Sequence, residues 1–401
     1  MNKRRMAVFF AVFFTLYGLL NIYIYLSGWR ALPVGSPLRP IYFLLFLLCS
    51  LSFFAGRTLE RRRASPFSVF LVHTGSYWFG AMLYFLIGAL VIDLLRAVNA
   101  LVPIFPAAVV AHPSAAGLGA LALVIGATAI VLAAGHVNAL ILRVREIDVS
   151  VPGKTLKGGE TIRIVAASDI HLGTIIGARR LTMLVDRMNA LRPDVVLLPG
   201  DIVDEDIAPV IRGNLGETLR AIRAPLGVYA VTGNHEFIGG AGPACDYLSA
   251  HGITMLRDAV VRLPNGLTIV GRDDRSGAGF AGTKRRTLAE LMEGVDTSSP
   301  VVLMDHQPFG LQEAVGKGID LQLSGHTHHG QLWPLNFITK RVYEVSWGEK
   351  EIEGTRFYVS CGVGTWGPPV RTGNRPEILL VRLRAGGGAS SPPPGARTAV
   401  S

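Results

Sequence analysis

The stretch Ile162–His171, IRIVAASDIH, sets a β-branched apolar run directly ahead of an Asp-x-His. The same arrangement recurs downstream: residues 195–204 read VVLLPGDIVD, 228–236 VYAVTGNHE, 301–306 VVLMDH and 321–328 LQLSGHTH. Another short apolar run covers Leu267–Val270, and helix-like stretches lie near Arg179–Leu191, Asn214–Ile222, Pro243–Ala250, Arg285–Met292 and Pro308–Val315. Strands that alternate with helices predict βαβ units and a mostly parallel sheet. At the end of the chain, Arg341–Ser346, Arg356–Ser360 and Glu377–Arg382 follow one another without a helix and predict an antiparallel closing portion.

In α/β folds the functional residues collect in loops just after the carboxyl ends of strands. Asp169 and His171 follow the first run; Asp201 and Asp204 the second; Asn234, His235 and Glu236 the third; His306 the fourth; His326, His328 and His329 the last. Six of the ten histidines stand in these loops. Imidazole mixed with carboxylate suits Mn²⁺, Fe²⁺ or Zn²⁺, whereas Mg²⁺ and Ca²⁺ take nearly all-oxygen sites. An extended Asp-x-His or His-x-His turns both side chains to one face. The candidate ligands outnumber what one cation can use, and two cations about 3.5–4 Å apart would employ them. Each motif alone is weak; the ordered set after successive strands is not.

Upstream, the chain reads as membrane. Four apolar stretches, about 6–26, 40–55, 67–95 and 115–142, approach or exceed the length that crosses roughly 30 Å of hydrocarbon. Only 17% of the 401 residues are charged, against about 25% in soluble domains. Residues 1–146 carry 12 basic and 3 acidic side chains. The basic excess thus sits in the apolar half, which argues against a nucleic-acid-binding domain. Lys3, Arg4, Arg5, Arg57, Arg61, Arg62, Arg63, Arg143 and Arg145 fall on one side of the four spans, and Arg30, Arg39 and Arg96 on the other. By the positive-inside rule the half after residue 146 is cytoplasmic in a multi-pass inner-membrane protein. Three scattered cysteines exclude a disulfide framework. The expected organisation is a four-helix membrane domain over 1–146, an α/β domain over 147–384 and a disordered tail over 385–401, with the oligomeric state left open.

The ordered motifs resemble the calcineurin-like metallophosphoesterase family: Asp169-Ile170-His171, Gly200-Asp201-Ile202-Val203-Asp204, Gly233-Asn234-His235-Glu236, a single His306, and Gly325-His326-Thr327-His328. The likeness covers about 160–383, and His329-Gly330-Gln331 is similar to the membrane-associated bacterial branch, some of which resemble UDP-2,3-diacylglucosamine hydrolases of lipid A synthesis. It implies a β-sandwich flanked by helices and two divalent ions, Mn²⁺ first, with Fe²⁺ or Zn²⁺ as alternatives. Asp169, His171 and His328 would hold one ion, Asn234, His306 and His326 the other, and Asp201 both. His235 would face the phosphate, oriented by Asp204, while an activated water attacks phosphorus in line and no phosphoenzyme forms. Glu205 stands where protein Ser/Thr phosphatases of the superfamily carry Arg, which argues against a phosphoprotein substrate.

Arg371 is either a contact for phosphate or a lipid headgroup or part of a solvated charged face, and the same two readings hold for Arg179, Arg180 and Lys284–Arg286, where the solvated face is the stronger. His329 is either a substrate or outer contact or a solvent-facing residue. Trp366, Pro368 and Pro369 stack on a ligand, dip into the interface or pack the loop. The leading expectation is a membrane-anchored phosphoesterase acting on a phosphodiester or pyrophosphate of a lipid or lipid-linked nucleotide. A membrane sensor that degrades a cyclic nucleotide and a non-catalytic scaffold are the alternatives. A reporter fused after Arg384 that is active only in the cytoplasm should be active; activity of an export-dependent reporter there instead would reverse the topology.

Overall fold

The computed structural model describes residues 3–386 apart from 158 and 160, so the expected tail lies, beyond residue 386, outside the described residues. Helices come first: α1 Lys3–Ala31, α2 Leu38–Arg62, α3 Pro66–Leu101, a short α4 Ala107–Ala111 and α5 Pro113–Leu140. Four of them, α1, α2, α3 and α5, are long and apolar enough to cross a membrane. They turn side chains such as Leu44, Leu94, Leu123 and Ile130 outward, the surface that lipid rather than water solvates. At the start of α3, the Ser65 hydroxyl accepts the Ser68 N–H, Ser68 returns the bond, and Pro66 occupies the first turn, so the helix starts sharply after α2. α2 and α3 approach so closely that a Cβ on Gly75 would overlap the Phe53 backbone.

Twelve strands follow: β1 Arg143–Val151, β2 Thr161–Ala166, β3 Val195–Pro199, β4 Val228–Val231, β5 Thr254–Met255, β6 Ala259–Arg262, β7 Thr268–Gly271, β8 Val301–Met304, β9 Leu321–Ser324, β10 Gly348–Ile352, β11 Thr355–Val359 and β12 Glu377–Ala385. They form two mixed six-stranded sheets, ordered β1-β12-β2-β3-β4-β5 and β10-β11-β9-β8-β7-β6. Alternate residues Ile162, Ile164, Val195, Leu197 and Val381 of the first sheet meet Ile269, Val302, Met304, Leu321 and Leu323 of the second in one apolar layer. The outer faces carry helices. Leu181, Leu184, Val185 and Met188 of the helix Ala178–Ala190, at the i, i+3, i+4, i+7 spacing of an apolar stripe, pack under Val165, Val196 and Leu198. The expected β-sandwich flanked by helices is therefore the fold. β2, β3 and β4 run parallel in one sheet, as do β7, β8 and β9 in the other.

The closing portion differs from expectation. Arg341–Ser346 is not a strand, because Asn336–Val342 is helical and β10 begins only at Gly348; Ile338 and Val342 stand at helical rather than alternating spacing. Nor do the last strands make one antiparallel ribbon. β11 pairs parallel with β9, while β12 inserts into the first sheet between β1 and β2. Ile378 and Leu380 bury on one face of β12, and Leu379, Val381 and Leu383 on the other, so this strand satisfies its burial only inside a sheet covered on both sides. β1 starts at Arg143, ahead of the expected 146/147 boundary. Pro308–Val315 contributes a single 3₁₀ turn, Leu311–Glu313. Ile164→Ala should lower the unfolding free energy by about 2–5 kcal/mol, and the exposed Ile211→Ala by less than about 0.5 kcal/mol, in denaturant titrations of the full chain.

Candidate metal centre

The five loops after β2, β3, β4, β8 and β9 meet at one edge of the sandwich, where the backbone is unusual. Asp169, His171, Asp201, His326 and His328 all have positive φ, between 45° and 71°. Non-glycine residues in this region carry about 1–3 kcal/mol of strain each and persist only where the surroundings over-determine them. The expectation that an extended Asp-x-His turns both side chains to one face is thus corrected: left-handed kinks, not a strand, aim them inward. Neighbouring glycines make room. A Cβ on Gly233 would overlap Asp201 Oδ1, and one on Gly325 would overlap Asp169 Oδ2.

The side chains form two adjoining groups. In one, His171 Nε2 and His328 Nε2 are 3.0 Å apart, and Asp169 Oδ1 is 3.6 Å from His328 Nε2. In the other, Asp201 Oδ2 is 3.1 Å from His306 Nε2, Asn234 Oδ1 is 3.2 Å from the same nitrogen, and His326 Nδ1 is 2.7 Å from Asn234 Oδ1. Asp201 Oδ2 also lies 3.9 Å from His171 Nε2, so this carboxylate stands between the groups. The donor atoms of Asp169, His171 and His328 all lie within 4.8 Å of one another, as do those of Asp201, His306 and His326.

This arrangement fits cations. Asp169 Oδ2 and His171 Nδ1 are buried without hydrogen-bond partners, a costly state unless something else satisfies them. His306 directs Nδ1 at the Pro199 carbonyl, 2.8 Å away, so Nε2 is the atom that faces the site; against burial, the Asp201 carboxylate at 3.1 Å keeps the ring charged in the metal-free protein, and a cation bound at Nε2 would displace that proton. Burial and the charge on His306 bring His326 down to about 3. Burial, His171 and Arg371 hold His328 well below its ordinary value. Both rings are thus in the neutral form that binds metal. Burial raises Asp169 and opposes ionisation of Asp201, but the imidazoles around Asp201, His306 foremost, outweigh burial and hold it ionised.

Beside these groups, His235 Nδ1 donates to Asp204 Oδ1 at 3.0 Å, and Trp366, 55% exposed, stands edge-on with its ring centroid 6.0 Å from that of His235. Two expected contacts are placed elsewhere. Arg371 is fully buried; it spends its N–H groups on the Gly362 and Gly364 carbonyls and Asn374, with one nitrogen 3.3 Å from His328 Nδ1, so it braces a histidine from behind instead of reaching a ligand. His329 is buried too and turns to Ser346 Oγ at 2.9 Å and to the Trp347 ring. Arg180 donates to the Ala139 carbonyl at the end of α5.

The sequence assigned no task to Glu236. It is buried and accepts the N–H groups of Asp201, Val203 and Gly233 at 2.7–3.1 Å, tying the third loop to the second. Its return to Gly233 has the spacing of a capping box, a signal readable in Gly-Asn-His-Glu. Arg57 at the end of α2, read only as a topology signal, lies 3.2 Å from Asp204 Oδ2.

The profile of the calcineurin-like phosphoesterases matches residues 162–330. An uncharacterized metallophosphoesterase of Aquifex aeolicus is 34% identical over 63% of this chain and 95% of its own length. One from Helicobacter pylori strain J99 is 32% identical over 55% of the chain and 60% of its own. A zebrafish (Danio rerio) transmembrane protein with metallophosphoesterase domain is 31% identical over 66% and 62%. The chain thus spans nearly all of the first relative and less than two thirds of the other two.

Burial opposes the charge on His235, but the Asp201 and Asp204 carboxylates prevail and push it from 6.5 up to about 9. A raised value stabilises the fold fully below the unfolded value and loses that stabilisation as pH rises to the folded one. The metal-free protein should therefore lose on the order of 2 kcal/mol between pH 6.5 and 9. Melting curves of chelator-treated wild type and His235→Gln check this: the wild-type melting temperature falls over that window and the variant's falls less. Parallel curves would remove the assignment.

Proposed function

The chain belongs to the calcineurin-like phosphoesterases, and from that premise we propose a membrane-anchored, two-metal hydrolase that cleaves a phosphodiester or pyrophosphate bond of a lipid or lipid-linked nucleotide, in the manner of UDP-2,3-diacylglucosamine hydrolases. The observation that carries the lipid part is an apolar edge continuous with the last metal-site loop. Trp333, Phe337, Ile338 and Val342 are 51–61% exposed, next to Lys340 and Arg341 on the same short helix. Tyr84 of α3 donates to the Trp333 carbonyl at 3.0 Å, which joins this edge to the membrane helices. Exposed aromatic and aliphatic side chains beside cations suit a headgroup boundary.

Asp169, His171 and His328 would hold one cation, Asn234, His306 and His326 the second, and Asp201 both; Mn²⁺ is the first choice, then Fe²⁺ or Zn²⁺. Bound cations supply Lewis acidity and lower the pKa of water to near neutrality. The protein's own part is positional. His235 Nδ1–H is held by Asp204 Oδ1, which leaves Nε2 to present its proton to the leaving oxygen. Trp366 shields one side of that ring. Glu236 and the glycines keep the loops in register, so the donors need no reorganisation when charge develops. The catalytic half would lie on the cytoplasmic face of the inner membrane.

Metal-reconstituted full-length protein should cleave UDP-2,3-diacylglucosamine much faster than bis-p-nitrophenyl phosphate. His235→Ala and Asp201→Asn should each lose at least about 100-fold on both. Cleavage of the water-soluble diester alone would remove the lipid assignment, and no cleavage with any of the three metals would remove the enzyme.

A further inference from the structure

We infer that α2 supplies the catalytic centre with a positioning residue, Arg57, so that the centre is complete only with the membrane helices in place. The inference rests on the role proposed above for His235 and Asp204. The two oxygens of Asp204 have different partners: Oδ1 accepts from His235 Nδ1 at 3.0 Å, and Oδ2 accepts from Arg57 Nη2 at 3.2 Å. A carboxylate bonded at one oxygen can still pivot about its Cβ–Cγ bond. With the second oxygen pinned by a planar guanidinium, its plane is set, and with it the direction of the His235 ring.

Arg57 is itself held. Its guanidinium lies over the Phe53 ring at 5.5 Å and contacts Glu60 Oε2 at 3.4 Å. Glu60 is only 3% exposed, and its other oxygen accepts from Thr174 Oγ1 at 2.6 Å and Arg212 Nη2 at 3.3 Å. Thr174 lies three residues past His171 in the loop after β2, so the end of α2 grips two of the five site loops. Burying a carboxylate at a helix end costs several kcal/mol unless it is paired, and ion pairs of this kind add little net stability. Such a network is a poor stabiliser and a good locator. An isolated catalytic domain would leave Asp204 without its second partner.

The sorting experiment uses the full-length, metal-loaded protein in lipid nanodiscs with aryl phosphodiesters whose leaving groups range from p-nitrophenol to phenol. Arg57→Met should lower kcat about 10–100-fold for phenol, far less for p-nitrophenol, with KM little changed, because a misaimed proton donor matters most to a poor leaving group. Arg57→Lys should recover part of the loss. Arg62→Met, an exposed arginine at the C-terminus of the same helix, should match wild type. In an Asp204→Asn background, Arg57→Met should add nothing. Equal loss on both leaving groups, losses that multiply with Asp204→Asn, or no loss would each overturn the inference; metal content and melting temperature, unchanged in Arg57→Lys, separate positioning from collapse. Wild-type hydrolysis with an unaffected Arg57→Met strikes this inference alone, whereas an inactive wild type strikes the proposed function as well.

Discussion

Asp201 is a nearly inaccessible carboxylate placed among imidazoles, and the rest of the site depends on accommodating it. One of its oxygens accepts the His235 backbone N–H at 2.9 Å, and the other faces His306 and His171. Such a charge is tolerable only where opposite charge and hydrogen bonds surround it. The fold meets this by ending parallel strands of two sheets at one edge, so that five loops deliver nitrogen and oxygen atoms to a common point. The close passage needs glycine at 233 and 325, and the aim needs left-handed backbone at five ligand candidates. Both would destabilise a domain that lacked a rigid sandwich behind them.

The membrane helices are built into the same edge. Gly80 and Gly135 let α3 and α5 meet Pro368 and Val370, where a Cβ would come within 3.3 Å or less. Asn138 donates to the Arg371 and Asn374 carbonyls at 2.8 and 2.7 Å, and His136 Nδ1 is 3.1 Å from the Pro369 carbonyl. The polar residues near the C-terminal end of α5 thus serve as docking points for the loop that also carries Trp366 and Arg371. Arg371 braces His328 from this loop, so the helix contacts are one residue removed from a candidate ligand. Anchoring and positioning are carried by the same interactions.

The strands that matter most were legible because they are short, β-branched and bounded by Gly and Asp. Val228–Val231 and Val301–Met304 stand where their sequence puts them. The helix Asn336–Val342 and the placement of β12 were not, because an apolar run names its burial and not its partner. Glu236 was visible as part of a motif without a task. Arg371 and His329 were misplaced for one reason: a charged or polar residue near a site reads as a contact, and whether it faces in or backs another residue is decided by packing.

The sequence by itself determined the chemistry. The order Asp-x-His, Gly-Asp-x-x-Asp, Gly-Asn-His-Glu, His, Gly-His-x-His names the donor types, and the four apolar stretches name the solvent of the first half, because residue type and hydropathy are local properties. Only the tertiary structure decided which donors share a group, that kinked rather than extended backbone aims them, and that Arg57, 147 residues from Asp204 in the chain, touches it. Those facts depend on distances between segments far apart in sequence, and such distances are set by how two sheets and four helices pack, which no local pattern records.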